Sequence, residues 1–312
     1  MNRLYLATRL FNVNDRLTSI DLCERVDGWI DEGLLPLEHS FLPYRDSNNE
    51  IPDDVEDWGQ AIFDLDIENL SNSVGVACYF DGPAYDSGIG FEIGLAYTLG
   101  MPIAVVTTDY HVISIHDSEE YHSISKLIQY IATVIHVDQA SQEIEDYKEQ
   151  CLDIRNQAMD QLKATLIENF NESSKHLPPN LKSENIEYDY YLDPNFQYTE
   201  SGRYILESLI NAIVSEGKTY IVGNNQDNIA EDLQNLASSN DVILFSEEYD
   251  PDVDTSLLQG IAYGLGKMPI LYQSKIKRYY NGLYVATNNL MCKYSAKAIV
   301  RSLVELEAII KA

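Results

Sequence analysis

The densest run of chemistry-bearing residues is Asp81-Gly-Pro-Ala-Tyr-Asp86-Ser-Gly-Ile-Gly-Phe-Glu92-Ile-Gly-Leu-Ala-Tyr97. It follows the apolar run Val74–Phe80, which reads as a strand, and leads into Phe91–Leu99, which has helical periodicity. In open α/β sheets ligands gather outside the carboxyl ends of strands, where such a loop falls. Ser87, Gly88 and Gly90 are small enough to let backbone close on a ligand. Glu92 is expected in or near the first helical turn, where free N–H groups and the helix dipole favour its ionised form. An ionised carboxylate beside a small-residue cleft can attack the anomeric carbon of a sugar. Asp86 or Asp66 would then manage the proton of the leaving group. The same residues also admit a purely structural role, with Glu92 complementing the dipole and Asp86-Ser87 capping the helix. A triphosphate cradle is disfavoured, because the loop is acidic and no Lys follows it. No His lies within the cluster, so no metal site is expected.

The elements that must position this cluster alternate in type. Leu4–Ala7, Val74–Phe80, Ile103–Thr107, Tyr220–Val222, Val242–Phe245 and Ile270–Tyr272 read as short buried strands. Helical periods follow Asn14 as far as Ile30, run from Ala61 to Leu70, and recur from Phe91 to Leu99. Such alternation predicts an α/β fold, a mostly parallel sheet flanked by helices through right-handed crossovers. Between Ser141 and Phe170 apolar residues recur every three or four positions, predicting one long amphipathic helix packed on the body. Pro178–Pro179 close that segment.

The chain also repeats itself. An offset of 166 residues carries Asp66 onto Asp232, Asp86 onto Asp252, Gly94 onto Gly260 and Ala96–Tyr97 onto Ala262–Tyr263. Leu4–Phe11 likewise corresponds to Tyr190–Phe196 at the start of each copy. The expected organisation is a tandem duplication: a first domain at 1–139, a connecting helix and linker at 140–185, and a second domain at 186–312.

Composition narrows the function. The 312 residues include 50 Asp+Glu and 21 Lys+Arg, a net charge of −29, and 45% are hydrophobic. That apolar content supports packed cores, and that charge repels nucleic-acid polymers and anionic lipid surfaces. Cys23, Cys78, Cys151 and Cys292 stand apart without a CxxC pair and read as buried thiols of a reducing cytoplasm. Neither a signal peptide nor an apolar run of membrane-spanning length is visible, so a cytoplasmic location is expected.

Four separated motifs in order, Tyr5-Leu-Ala…Leu10-Phe11, Asp66-Ile-Glu-Asn-Leu, Asp81-Gly-Pro-x-x-Asp86-Ser-Gly and Phe91-Glu92-Ile-Gly-x-Ala-Tyr-x-Leu-Gly, resemble the nucleoside 2-deoxyribosyltransferases. The resemblance covers most of residues 4–107. It implies a flavodoxin-like fold and a retaining double displacement in nucleoside salvage. By resemblance Glu92 is the nucleophile at C1′ of a deoxynucleoside, Tyr5 positions it, Asp66 handles the nucleobase proton, and Asp86 holds sugar hydroxyls. Asp81, Gly82, Ser87 and Gly88 would line the substrate site. The partners implied are a deoxynucleoside and a free nucleobase, and no cofactor is required because the glutamate carries the sugar.

Two departures are complementary. The family carries an Asn-Leu-Met segment late in the domain, whose Asn reaches a neighbouring subunit's site. The first copy has no Asn from Met101 to Arg155 and offers Lys126-Leu-Ile there, while the second keeps Asn289-Leu290-Met291. Conversely, the second copy has Leu258 or Gln259 where the first has Glu92. This predicts an intrachain pseudo-dimer with one working site, to which the second copy lends Asn289, and leaves room for further homo-oligomers. Two rival functions remain at this stage: hydrolysis of a nucleoside or nucleotide N-glycoside by the same glutamate, and non-catalytic sensing of a nucleoside derivative.

Overall fold

The computed structural model describes residues 2–51, 54–81, 86–109, 112–116, 119–122, 124–171, 181, 185–224, 228–246, 252–274, 278–280, 283–285 and 289–312. The chain divides into two compact units. One comprises Met1–Tyr85 with Leu99–Leu177, the other Asp86–Thr98 with Pro178–Ala312. The candidate helix carrying Glu92 therefore belongs to the unit built mainly from the C-terminal half. Among the described residues, no helix is long and apolar enough to cross a membrane.

In the first unit, β1 (Arg3–Thr8), α1 (Val13–Asp31), β2 (His39–Phe41), α2 (Pro43–Glu50), α3 (Trp58–Ser71) and β3 (Gly75–Tyr79) come before the excursion of the chain into the other unit. That excursion is α4 (Ser87–Thr98). The first unit resumes with β4 (Ile103–Thr107), a hairpin of β5 (Val112–His116) and β6 (Glu119–His122), α5 (Lys126–Ile131), β7 (Thr133–His136) and α6 (Tyr147–Asn171). Its sheet runs β2-β1-β3-β4-β7 with all four pairings parallel. Counted by the unit's own strands this is order 2-1-3-4-5, the flavodoxin-like arrangement. Strands such as Ile-Ala-Val-Val-Thr in β4 are buried at every residue, as a parallel sheet covered on both faces requires.

The second unit contributes β8 (Tyr188–Leu192), a 3-10 turn at Pro194–Gln197, α7 (Glu200–Ser215), β9 (Tyr220–Val222), α8 (Ile229–Ala237) and β10 (Ser239–Phe245). It continues with α9 (Val253–Gly264), β11 (Ile270–Tyr272), a hairpin of β12 (Arg278–Tyr280) and β13 (Leu283–Val285), α10 (Leu290–Tyr294), β14 (Ala298–Val300) and α11 (Leu303–Lys311). Its parallel sheet runs β9-β8-β10-β11-β14, again order 2-1-3-4-5.

Several expectations need correction. Helix α1 starts at Val13 rather than after Asn14, because Asn12 adopts an extended backbone and its side chain accepts from the Asp15 amide at 3.0 Å. The long helix starts at Tyr147, not Ser141, and its apolar face turns inward only from Ile154 onward. Ala158, Met159, Leu162 and Leu166 enter the first unit's core, whereas Tyr147 is 83% exposed. Cys151 lies on that exposed stretch, so it is not a buried thiol; Cys23, Cys78 and Cys292 are. The Pro178–Pro179 pair falls outside the described residues.

Within the second unit, α4 packs on α9 with unusual closeness, and the offset of 166 relates the two helices end to end. A β-carbon on Gly94 would stand 2.2 Å from the Leu257 carbonyl oxygen, and one on Gly260 would stand 2.0 Å from that of Phe91. The same offset links Gly94 with Gly260 and Phe91 with Leu257, so the contact is reciprocal in the manner of a two-fold interface. Glycine at both positions lets the backbones meet. Gly94→Ala should therefore cost about 3 kcal/mol, the upper end of overpacking penalties, because a carbonyl cannot swing aside. Gly28→Ala in α1, whose new methyl meets nothing within 4 Å, should instead stabilise by about 0.5–1 kcal/mol. Thermal melts of the two variants check this, and equal effects would contradict it.

Candidate active site

Helix α4 begins where its cap is. The Asp86 carboxylate accepts from the Gly88 amide at 2.7 Å, and its carbonyl accepts from the Gly90 amide at 3.2 Å. The helix thus starts four residues earlier than its periodicity indicated, since the three glycines of Ser-Gly-Ile-Gly-Phe-Glu-Ile-Gly mask the pattern. Glu92 accordingly sits in the second turn, not the first, beyond the main reach of the terminal dipole. It is 7% exposed, an ionisable side chain held almost out of water.

Asp86 does more than cap. Asn289 donates from Nδ2 to Asp86 Oδ1 at 3.1 Å, while its own Oδ1 accepts from the Met291 amide at 2.9 Å. One amide side chain therefore caps α10 and pairs with the carboxylate that caps α4. Gly88 makes room for it: a β-carbon there would lie 2.6 Å from Asn289 Nδ2. Ser87 is fully buried, and its Oγ has no hydrogen-bond partner among the described residues. Asp86, Ser87, Gly88, Glu92 and Asn289 are thus brought into one compact unit.

Tyr5, Asp66 and Asp81 belong to the other unit. Tyr5 is fully buried in the middle of β1 with its ring 5.5 Å from that of Phe41. Asp66 is 5% exposed on α3 and accepts from Ser47 Oγ at 2.6 Å. Burial pushes its carboxyl up to about 7, and the Ser47 hydrogen bond opposes that rise. Asp81 turns its carboxylate toward the end of β4, accepting from Thr107 Oγ1 at 2.9 Å and from the Thr108 amide at 2.6 Å. Both contacts are of the kind that stitch strand ends together. Gly82 lies outside the described residues.

The second unit's own strand ends are occupied by its own side chains. Tyr191 donates to Asp232 Oδ2 at 3.0 Å, and Thr255 Oγ1 donates to Asp193 Oδ2 at 2.9 Å. Burial pushes Asp193 up to about 7 despite amide donors at Phe245 and Asn195. Leu258, at the place of Glu92, is fully buried, and Gln259 is spent on the Cys292 carbonyl and Ser295 Oγ, each at 2.7 Å. Sequence reasoning missed Ser47, whose segment Pro43–Glu50 has no diagnostic pattern. It also placed the first copy's counterpart of Asn289 one residue late: Ser125, not Lys126, caps α5 as Asn289 caps α10. Among the described residues, no group of three or more His, Cys, Asp or Glu is placed to hold a metal.

Comparison with known proteins adds one specific finding. Residues 4–125 match the family model described as Nucleoside 2-deoxyribosyltransferase. No curated protein matches the chain. Among solved structures, a conserved protein from Enterococcus faecalis V583 is similar at 22% identity, over 50% of this chain and 99% of its own, with a TM-score of 0.36. A 2-deoxyribosyltransferase from Bacillus psychrosaccharolyticus is similar at 20% identity, over 47% of this chain and 88% of its own, with a TM-score of 0.32. The match over 4–125 spans Tyr5, Asp66, Asp81, Asp86 and Glu92, so it is this segment that is similar to the nucleoside 2-deoxyribosyltransferases.

Proposed function

We propose that the protein transfers 2-deoxyribose between nucleobases through a covalent intermediate on Glu92. In the first half-reaction a Glu92 carboxylate oxygen attacks C1′, the C1′–N bond breaks, and the departing base takes a proton from Asp66. In the second, a nitrogen of another base attacks C1′, the ester to Glu92 breaks, and Asp66 recovers the proton. Two inversions give net retention. Asp86 and Asn289 hold the sugar hydroxyls, and Tyr5 orients the glutamate. The reaction is carried by side chains alone.

The observation that carries this reading is the Asp86–Asn289 pair at the start of α4, six residues before the buried Glu92 on the same helix, with Asp86 and Glu92 both inside the segment that matches the family. Six residues of helix span about 9 Å along the axis, so Glu92 lies within one substrate's length of that pair. A carboxyl at Asp66 raised to about 7 is about half protonated at neutral pH and suits a donor to a leaving base.

Incubation with a deoxynucleoside, with and without a different free base, tests the proposal by product chromatography. Exchange only with the second base supports it. Release of base without an acceptor marks a hydrolase, and binding without product marks a sensor. Glu92→Ala should abolish exchange, whereas Leu258→Ala should retain its chemistry. Asn289→Ser keeps an oxygen to cap α10 and removes the amide donor to Asp86; KM should rise about tenfold, the equivalent of a lost hydrogen bond to a charged group. Cleavage of nucleoside should fall as pH rises through about 7, because Asp66 loses its proton there. Ser47→Ala should move that fall to higher pH, since the lost hydrogen bond favoured the ionised form. An unshifted profile would exclude Asp66 as the donor.

A further inference from the structure

Helix α10 is five residues long, Leu290–Tyr294, too short to hold its shape without outside partners. At its start the Asn289 side chain accepts from the Met291 amide and the Asn289 carbonyl accepts from the Lys293 amide, both at 2.9 Å. At its end the carbonyls of the last turn need donors from elsewhere. Ser295 Oγ donates to the Met291 carbonyl at 2.6 Å, and Gln259 Nε2, from α9, donates to the Cys292 carbonyl at 2.7 Å. The same Nε2 donates to Ser295 Oγ at 2.7 Å, so both of its hydrogens are used. Cys292 Sγ lies 3.9 Å from the Ser87 carbonyl oxygen, which seats α10 against the first turn of α4.

Packing alone would not select glutamine here. From Leu257 to Ala262 every residue of α9 is buried, and Gln259 is the only one with a polar side chain. It is fully buried, and its Oε1 has no hydrogen-bond partner among the described residues. Desolvating that oxygen costs stability that a leucine of similar volume would not lose. The Cys292 carbonyl can only accept, so the amide nitrogen must face α10 and the oxygen must turn away from it. What offsets the loss is the cap on α10. The two copies differ accordingly. The offset of 166 places Ile93, which has no side-chain donor, opposite Gln259, and Ser125 caps α5 as Asn289 caps α10. The strut and the asparagine occur in the same copy.

We propose that Gln259 is a positioning residue: by capping α10 it holds Asn289 in register with Asp86 and so sets the affinity of the site at the start of α4. Three residues of helix, about 4.5 Å of rise, separate Asn289 from Cys292, so the two caps grip one turn from its two ends. A turn released at its carboxyl end frays, and its asparagine then loses the geometry of the 3.1 Å contact with Asp86. The effect on affinity rests on the proposed role of Asp86 and Asn289 as holders of the sugar hydroxyls; the cap itself does not depend on that role.

Gln259→Met keeps length and volume and removes both donors, and two measurements on the intact protein test it. Without ligand, the Asn289 side-chain amide resonances should move toward free-amide values, and the α10 amides should exchange with solvent about tenfold faster. In steady-state base exchange, KM for the deoxynucleoside should rise about fivefold with kcat within about twofold, the mark of a lost binding contact. Partial unfolding would do the reverse, lowering apparent kcat through the active fraction and leaving KM in place. Added to Asn289→Ser, Gln259→Met should raise KM no further, since both act through one amide. Ser295→Ala removes the donor to the Met291 carbonyl and one acceptor of Gln259, and should shift resonances and KM in the same direction should Gln259→Met fail to fold. Unmoved Asn289 resonances, an unchanged KM, or a double variant whose KM rise is the product of the single ones would each overturn the inference. If the wild type exchanges no base, the proposed function falls and the Asn289 resonances alone decide the positioning.

Discussion

The candidate site hangs on the crossing of α4 and α9, where two helices touch backbone to backbone through Gly94 and Gly260. A helix that loses side-chain contacts at glycine must gain its stability from packing, and α4, with glycines at 88, 90 and 94, has little propensity of its own. The crossing supplies that packing. It also binds Asp86–Thr98 into the C-terminal unit, and there Asp86 meets Asn289. Had either glycine carried a β-carbon, the helices would stand apart and the 3.1 Å contact would open.

Reciprocity of that contact also gives the chain's repeat a physical meaning. Each unit holds a sheet of the same strand order, and two helices within the second unit exchange equivalent contacts under the offset that the sequence repeat uses. The first copy keeps Glu92 and has Ser125 at the cap that Asn289 fills in the second, and the second has Leu258 where a carboxylate would be. In the second unit Asp193, Asp232 and Thr255 bind one another's neighbours, which fills its strand ends with internal hydrogen bonds.

Much of this was legible in the sequence because it rests on local rules. Strands β1, β3, β4, β10 and β11 each contain a short apolar run, and the repeat preserves Asp, Gly and Tyr at fixed offset. The edge strands His39–Phe41 and Ala298–Val300 were not legible, being three residues each and owing their form to a neighbouring strand, whereas the equally short edge strand Tyr220–Val222 was. The start of α4 was hidden by its glycines and revealed only by the Asp86 cap. Ser47 was hidden because its role depends on meeting Asp66, 19 residues along the chain, and the cap from Gln259 because it depends on meeting Cys292, 33 residues on. The acidic excess is also redistributed in meaning: of the 50 Asp and Glu, the buried Asp66, Asp86 and Glu92 carry the proposed chemistry.

The most direct measurement is intact-protein and peptide mass spectrometry after mixing with a deoxynucleoside in the absence of any acceptor base. The proposed mechanism requires one deoxyribosyl group esterified to Glu92, lost again when a free base is added. An adduct on another residue, or free base released with no adduct on Glu92 at any time, would contradict it.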